Sequence, residues 1–200
     1  PEVPTKNIIW EPFARDTAAA VGLAAVHIHK QDPQGVIFVL PADHYVADNE
    51  EFERVIRAGG KAAENGEWVV TVGISPSRPE TGYGYIEKGP KELTVDGVKV
   101  FKAQAFHEKP NIDRALDFLN KGSFLWNSGM FIWRTDFIFR LLSKYLPDLK
   151  KGLDLIGDCL GTPKEKEMAE EVHAELPRIS IDYGVMEKDP RVLVIPASFG

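Results

Sequence analysis

Val36-Ile37-Phe38-Val39-Leu40, followed at once by Pro41-Ala42-Asp43-His44, is the stretch on which the fold turns. Five consecutive apolar residues leave no polar face, so the run is expected to be a strand covered on both sides, as in a parallel sheet. Upstream, Asp32-Pro33-Gln34-Gly35 breaks the chain. Before that break, Ala18 to His29 is apolar nearly all round, which predicts a buried helix entered through a cap at Asp16-Thr17. The short apolar run from Lys6 to Trp10 reads toward a strand, and strand, helix and strand in about 35 residues make a βαβ unit.

Downstream the same grammar continues. Asp48 with Glu51 three residues on forms a capping box, and Phe52, Val55, Ile56 and Ala63 mark one face of a helix that ends near Asn65-Gly66. Trp68 to Ile74 is the next buried strand. Ser75 to Gly84 holds too much Pro and Gly for regular structure and is a long working loop. Asp96-Gly97 between Val95 and Val98 predicts a hairpin turn, which brings in antiparallel pairing. Phe101 to Phe106 alternates, Asn111 caps a short helix, and Met130 to Trp133 is another strand. The chain is helical from Thr135, a further helix starts at Thr162-Pro163 with Glu165 completing the box, and Arg191 to Ile195 is the last strand. With no internal repeat or linker, residues 1–200 are read as one α/β domain: a doubly wound, mostly parallel sheet with an antiparallel excursion.

Composition narrows the function. Hydrophobic residues make up 44% and charged ones 27% of the 200, so a full core is expected and disorder is excluded. A net charge of −6, from 24 basic and 30 acidic residues with no Lys/Arg block, disfavours a nucleic-acid platform. No apolar run approaches the roughly 20 residues that span a bilayer, and no signal segment is present, so no membrane association is expected. The single Cys159 fits a reducing cytoplasm, and no Cys/His spacing suggests zinc. The chain opens and closes beside strands, as though cut from something longer.

In open α/β sheets ligands bind beyond the carboxyl ends of strands, which singles out four places. Asp43 would be delivered there by a rigid strand and suits Mg²⁺, which in phosphate chemistry takes one or two carboxylates; the plain alternative is an N-cap or turn residue. Glu108-Lys109 pairs an acceptor with a point cation, fit for a polyhydroxylated phosphate, although such neighbours are common on surfaces. Glu80 to Tyr85 offers backbone that a ligand can approach closely at Gly82 and Gly84, or forms a simple turn. Trp126-Asn127-Ser128-Gly129 sets amide and hydroxyl groups between apolar stretches, where sugar hydroxyls would supply partners. His27 and His29, two apart on a helix, point different ways and are ordinary helix residues. His44 and His107 lack a nucleophile partner, which argues against a hydrolase triad. His173 and Cys159 are taken as structural, and Trp10, Trp68 and Trp133 as core or rim aromatics.

Taken in order, Glu11-Pro12 with Arg15-Asp16-Thr17-Ala18, Leu40-Pro41-Ala42-Asp43-His44, Pro79-Glu80-Thr81-Gly82-Tyr83-Gly84-Tyr85-Ile86, Glu108-Lys109-Pro110 and Trp126-Asn127-Ser128-Gly129-Met130-Phe131 resemble the bacterial mannose-1-phosphate guanylyltransferases. The likeness runs from about Asn7 onward. It implies a Rossmann-like nucleotidyltransferase catalytic domain, truncated at both ends, that joins GTP and mannose 1-phosphate into GDP-mannose and pyrophosphate with Mg²⁺. It implies that Asp43 holds the metal, that Glu108 and Asn127, with Ser128 and the backbone at Tyr83 and Gly84, bind mannose, and that Lys109 holds phosphate. Arg15, Asp16 and Thr17 would lie near the guanosine; the family more often has Asn where Asp16 stands. The family's glycine-rich loop would precede Pro1 and its second metal carboxylate would follow Gly200. A cytoplasmic enzyme is implied, and a homodimer is left open. The alternatives are a nucleotidyltransferase for another hexose 1-phosphate and a catalytically silent regulatory relative.

Overall fold

A computed structural model describes residues 3–199; Pro1, Glu2 and Gly200, and with them the expectation about the chain's ends, lie outside the described residues. The chain forms two compact units, one running up to Gly35 and resuming over Thr135–Lys188, the other made of Val36–Arg134 and the segment from Asp189.

The second unit carries the sheet: β1 (Val36–Val39), β2 (Val69–Ile74), β3 (Tyr85–Val95), β4 (Val98–His107), β5 (Phe124–Arg134) and β6 (Val192–Ala197), in the order β1-β5-β2-β6-β4-β3, with β3 also paired to β5. The class is α/β, as expected. Strands β1, β2 and β6 run the same way, and β2 pairs with β6 in parallel. The antiparallel part is larger than the hairpin alone, because β5 inserts between β1 and β2 against both. The β3–β4 turn is as read: Asp96 and Gly97 have φ of 49° and 74°, the pair of left-handed residues that a type I′ hairpin requires.

Helices α2 (Asn49–Glu64) and α3 (Ile112–Lys121) belong to this unit. The Asp48 carboxylate accepts from the Glu51 amide at 3.0 Å, and Asn111 Oδ1 accepts from the Arg114 amide at 3.0 Å, so both foreseen caps form. Val55, Ala58, Ala62 and Ala63 of α2 pack with Val70, Val72, Ile132 and Ile195. Small residues let this helix sit close to the sheet, since a side chain at Gly59 would collide with Ile132.

The first unit contains α1 (Thr17–Gln31), α4 (Thr135–Tyr145), α5 (Pro147–Cys159) and α6 (Glu165–Glu175), then a π-helical turn at Asp182–Met186 that the sequence reading did not anticipate. Gly22 of α1 meets Leu153 of α5 closely enough to exclude a side chain. The helical tract from Thr135 is two helices, divided at Leu146 by Pro147, which takes the first position of α5. Helix α6 starts at Glu165 instead of Pro163. The Thr162 hydroxyl donates to the Cys159 carbonyl at 2.7 Å, and Glu165 reaches back to the Gly161 amide at 2.6 Å, so the would-be capping box serves a turn before the helix.

The expected first strand is absent. Thr5–Asn7 is a 3-10 turn, Ile8 to Trp10 pair with no strand among the described residues, and Trp10 is 82% exposed instead of lying in a core or rim. An apolar run becomes a strand only when another strand offers it a ladder, and none does here.

Candidate active site

Five chain segments line one cleft of about 450 Å³ in the second unit: Asp43-His44-Tyr45 after β1, Ile74 at the end of β2 with Arg78 beyond it, Tyr83 before β3, Trp126 to Ser128 with Met130 in β5, and Phe199 after β6. Four of them follow or precede strand ends, the place the topology favours for ligands. The fifth comes from the middle of β5, where the ladder breaks.

That break has a definite cause. Thr71 of β2 opposes Phe131, yet Gly73 opposes Asn127, so β5 carries extra residues and bulges. Gly129, at φ 70°, makes the bend, its amide donating to Asn127 Oδ1 at 3.1 Å. The Ser128 hydroxyl donates to the Val72 carbonyl at 2.7 Å and accepts from the Met130 amide at 3.2 Å. Ser128 thus pins the bulge that aims Asn127, while Tyr83 and Trp126 meet edge to face at 5.4 Å.

Gly84 is where the separate motifs converge. Its carbonyl accepts from the Asn127 amide at 2.8 Å, and a Cβ built on it would stand 2.6 Å from Glu108 Oε2 and 3.4 Å from the Asn127 Cβ. Any side chain here would displace the Glu108 carboxylate, which stands directly against the Gly84 backbone. The Glu108 side chain is 18% exposed and pairs with Lys109 Nζ at 3.3 Å, Lys109 itself being 64% exposed. Lys109 has φ of 42°, a left-handed conformation that a side-chain-bearing residue adopts at a cost, here directly before Pro110.

The loop ahead of Gly84 is organised by Glu80. Its Oε1 accepts from the Thr81 and Gly82 amides at 3.0 and 3.1 Å, its own amide donates to the Tyr85 hydroxyl at 2.9 Å, and Oε2 accepts from Arg78. The Gly82 amide bond above all, helped by Arg78, holds the Glu80 carboxyl below its usual range. The Gly82 amide is therefore engaged within the loop. Arg78 also lies over the Trp126 ring, 5.4 Å from its centroid. Sequence reasoning missed Arg78; an arginine inside a Pro/Gly-rich loop after a buried strand was the available signal.

Asp43 is exposed in the cleft, and its carboxylate has no hydrogen-bond or ion-pair partner among the described residues. His107 sits beside the site but serves packing: it lies against Phe118 and Phe124, and its Nδ1 faces the Arg114 guanidinium at 3.1 Å, so that nitrogen accepts. Burial and then Arg114 push its pKa down.

Arg15, Asp16 and Thr17 belong to the first unit. Asp16, at φ 68°, caps α1 by accepting from the Thr17 amide at 2.7 Å, and the Thr17 hydroxyl accepts from the Ile181 amide at 2.8 Å. Arg15 is half-buried with no hydrogen-bond or ion-pair partner among the described residues. His173 is fully buried in the same unit, 3.4 Å from Glu11, and desolvation lowers its pKa against the pull of that carboxylate.

Residues 3–171 match the nucleotidyl transferase family. The chain belongs to that family. This nucleotidyl transferase is 38% identical, over 98% of its length, to alginate biosynthesis protein AlgA of Pseudomonas fluorescens, and 37% identical over 98% to the mannose-1-phosphate guanylyltransferase of Escherichia coli K12; it spans 40% and 41% of those two proteins. The crystal structure of mannose-1-phosphate geranyltransferase from Thermus thermophilus superposes with a TM-score of 0.83 at 40% identity, over 96% of this chain and 53% of that one. That of mannose-6-phosphate isomerase from Helicobacter pylori gives 0.77 at 26% identity, over 94% and 70%. Among the described residues, no helix of this nucleotidyl transferase is long and apolar enough to cross a membrane, and no cluster of three or more acidic, His or Cys side chains is placed to hold a metal.

Proposed function

We propose that the chain is part of a cytoplasmic enzyme that transfers GMP from GTP to mannose 1-phosphate, residues 1–200 belonging to its nucleotidyltransferase catalytic domain. The observation that carries this reading is the meeting of Glu108, Gly84 and Asn127 beside the cleft that holds Asp43. A mostly buried carboxylate beside an amide side chain suits a polyol, because the carboxylate accepts from hydroxyls while the amide can both donate and accept. The relatives named for mannose 1-phosphate support that choice of sugar.

In the reaction, a phosphate oxygen of mannose 1-phosphate attacks the α-phosphorus of GTP. The new O–P bond forms as the bond to the β-phosphate oxygen breaks, and pyrophosphate departs with the electron pair. Such a displacement calls for positioning and charge neutralisation, with no covalent intermediate on the protein. Glu108 and Asn127 hold the hexose, the backbone at Tyr83 and Gly84 walls it, and Lys109 neutralises phosphate. Ser128 contributes from the bulge, and Arg15, Asp16 and Thr17 are assigned to the guanosine end. Asp43, a hard oxygen donor exposed in the cleft without a protein partner among the described residues, fits Mg²⁺ as one carboxylate of its coordination sphere. When bound, that ion would supply charge neutralisation at phosphate oxygens.

The test is pyrophosphate release by the whole enzyme of which these residues are part, measured with GTP and mannose 1-phosphate, separately and together. Release that needs both substrates is expected. Faster turnover with glucose 1-phosphate, or with UTP in place of GTP, would overturn the assignment.

A further inference from the structure

Arg78 has no part in the mechanism just given, yet among the described residues lining the cleft it is the one fixed cation. Lys109 is not among those lining residues, and its ammonium faces Glu108. Beyond the charge that Lys109 and a metal at Asp43 would bring, a fixed cation in the wall of the cleft favours a phosphate ester there.

Arg78 is built to serve. Its guanidinium lies over the Trp126 ring, and its Nε and Nη2 both donate to a single oxygen of Glu80, each at 3.3 Å. Those bonds are long and converge on one atom, so Glu80 steers the group without saturating it. Nη1 has no protein acceptor among the described residues. Glu80 is itself fixed by the Thr81 and Gly82 amides, and Trp126, 8% exposed, is held in β5. The side chain is 58% exposed, so its outer edge is open to a ligand. A planar guanidinium held by an aromatic face on one side and a carboxylate on another is preorganised for two phosphate oxygens, which an ammonium cannot match geometrically.

We propose that Arg78 is a phosphate ligand of the cleft, its free edge taking oxygens of a phosphate ester while Trp126 and Glu80 hold its plane. The inference rests on reading the cleft as a site for a hexose 1-phosphate and a nucleotide, and the same contact could be made by either one's phosphates.

Calorimetric titration of the protein and of its Arg78→Gln and Arg78→Lys variants with mannose 1-phosphate, GTP and inorganic pyrophosphate tests it. Arg78→Gln should weaken mannose 1-phosphate roughly ten- to a hundredfold, with Arg78→Lys in between, because charge is kept and the fork is lost. Weakening confined to GTP and pyrophosphate would uphold the contact and assign it to the nucleotide's phosphates. Unchanged affinity for all three ligands would overturn the proposal. So would an equal loss in both variants together with a shift in tryptophan emission, since Arg78 would then only be supporting Trp126. If the protein ignores mannose 1-phosphate but binds another hexose 1-phosphate in an Arg78-dependent way, the assigned substrate is wrong and this proposal stands.

Discussion

Replacing Gly84 by alanine adds one methyl group at the point where three motifs touch, and the structure says what that methyl must do. The new Cβ would stand 2.6 Å from Glu108 Oε2, whereas ordinary contact begins at 3.4 Å. The atom met is the far end of the Glu108 side chain, so it is the carboxylate that must move, while Asn127 is met at ordinary contact, its Cβ at 3.4 Å and its Nδ2 at 3.7 Å. Overpacking costs about 1–3 kcal/mol, and a clash relieved by moving a side-chain end belongs at the lower limit, about 1 kcal/mol. For a chain of this size that corresponds to a fall in melting temperature of roughly 2–4 °C per kcal/mol. The larger consequence is functional, because relief comes by rotating the Glu108 carboxylate away from the hexose it is proposed to hold. KM for mannose 1-phosphate should rise at least tenfold while KM for GTP changes little. A double-mutant cycle isolates the cause. Glu108→Ala in the Gly84→Ala background should restore stability, since the clash is gone, without restoring sugar affinity. If Gly84→Ala melts like the parent and binds mannose 1-phosphate normally, the convergence of Gly84 on Glu108 is not the basis of the sugar site.

Asp43→Asn should abolish Mg²⁺-supported turnover yet leave the melting temperature unchanged, because the exposed carboxylate has no protein partner among the described residues; near-normal activity would remove Asp43 from the metal site. Lys109→Ala should weaken mannose 1-phosphate by roughly ten- to a hundredfold, the worth of a charge-assisted phosphate contact, as read from a binding isotherm. Acid should destabilise the fold through His107 and His173: both pKa values are lowered in the folded state, so the unfolded chain takes up protons first as pH falls below about 6.5. Their contribution is present above that value and is lost between it and the folded-state pKa. Urea midpoints across this range should fall less steeply in a His107→Gln variant, and an unchanged slope would show that His107 is not the group responsible.

What the sequence made legible was local. Asp48, Asn111 and the Asp96-Gly97 turn act within three or four residues of themselves, so their chemistry alone announces them. Glu108-Lys109 and Asn127-Ser128 could be marked as candidates because each follows or interrupts an apolar run. Nothing local, however, tells that β5 runs against β1 and β2, or that a bulge there faces Gly84, because strand neighbours and register depend on contacts far apart in the chain. The segment from Ile8 to Trp10 failed for the same reason in reverse, having a strand's composition and no ladder to join. Pro147 was a missed local signal: proline at the first position of a helix marks its start as plainly as any cap.

Backbone strain adds an argument independent of resemblance. Among the described residues three that carry side chains have positive φ: Asp96, Asp16 and Lys109. Asp96 is explained by its hairpin turn. Asp16 is the N-cap of α1, and aspartate is among the residues that adopt this φ most readily; that leaves Lys109, beside the Glu108 acceptor that the sequence marks for ligand chemistry. A left-handed lysine before proline persists only where its surroundings over-determine it, at about 1–3 kcal/mol. Here the neighbours are the end of β4, Pro110 and the Glu108 carboxylate, which meets the Lys109 ammonium at 3.3 Å. If Lys109 were an ordinary surface residue, nothing would oppose its relaxation or its replacement by glycine, which adopts that φ freely. On the proposed reading, the phosphate contact of the Lys109 ammonium is what offsets that cost, and a Lys109→Gly variant that melts higher yet binds mannose 1-phosphate as tightly as the parent would refute it.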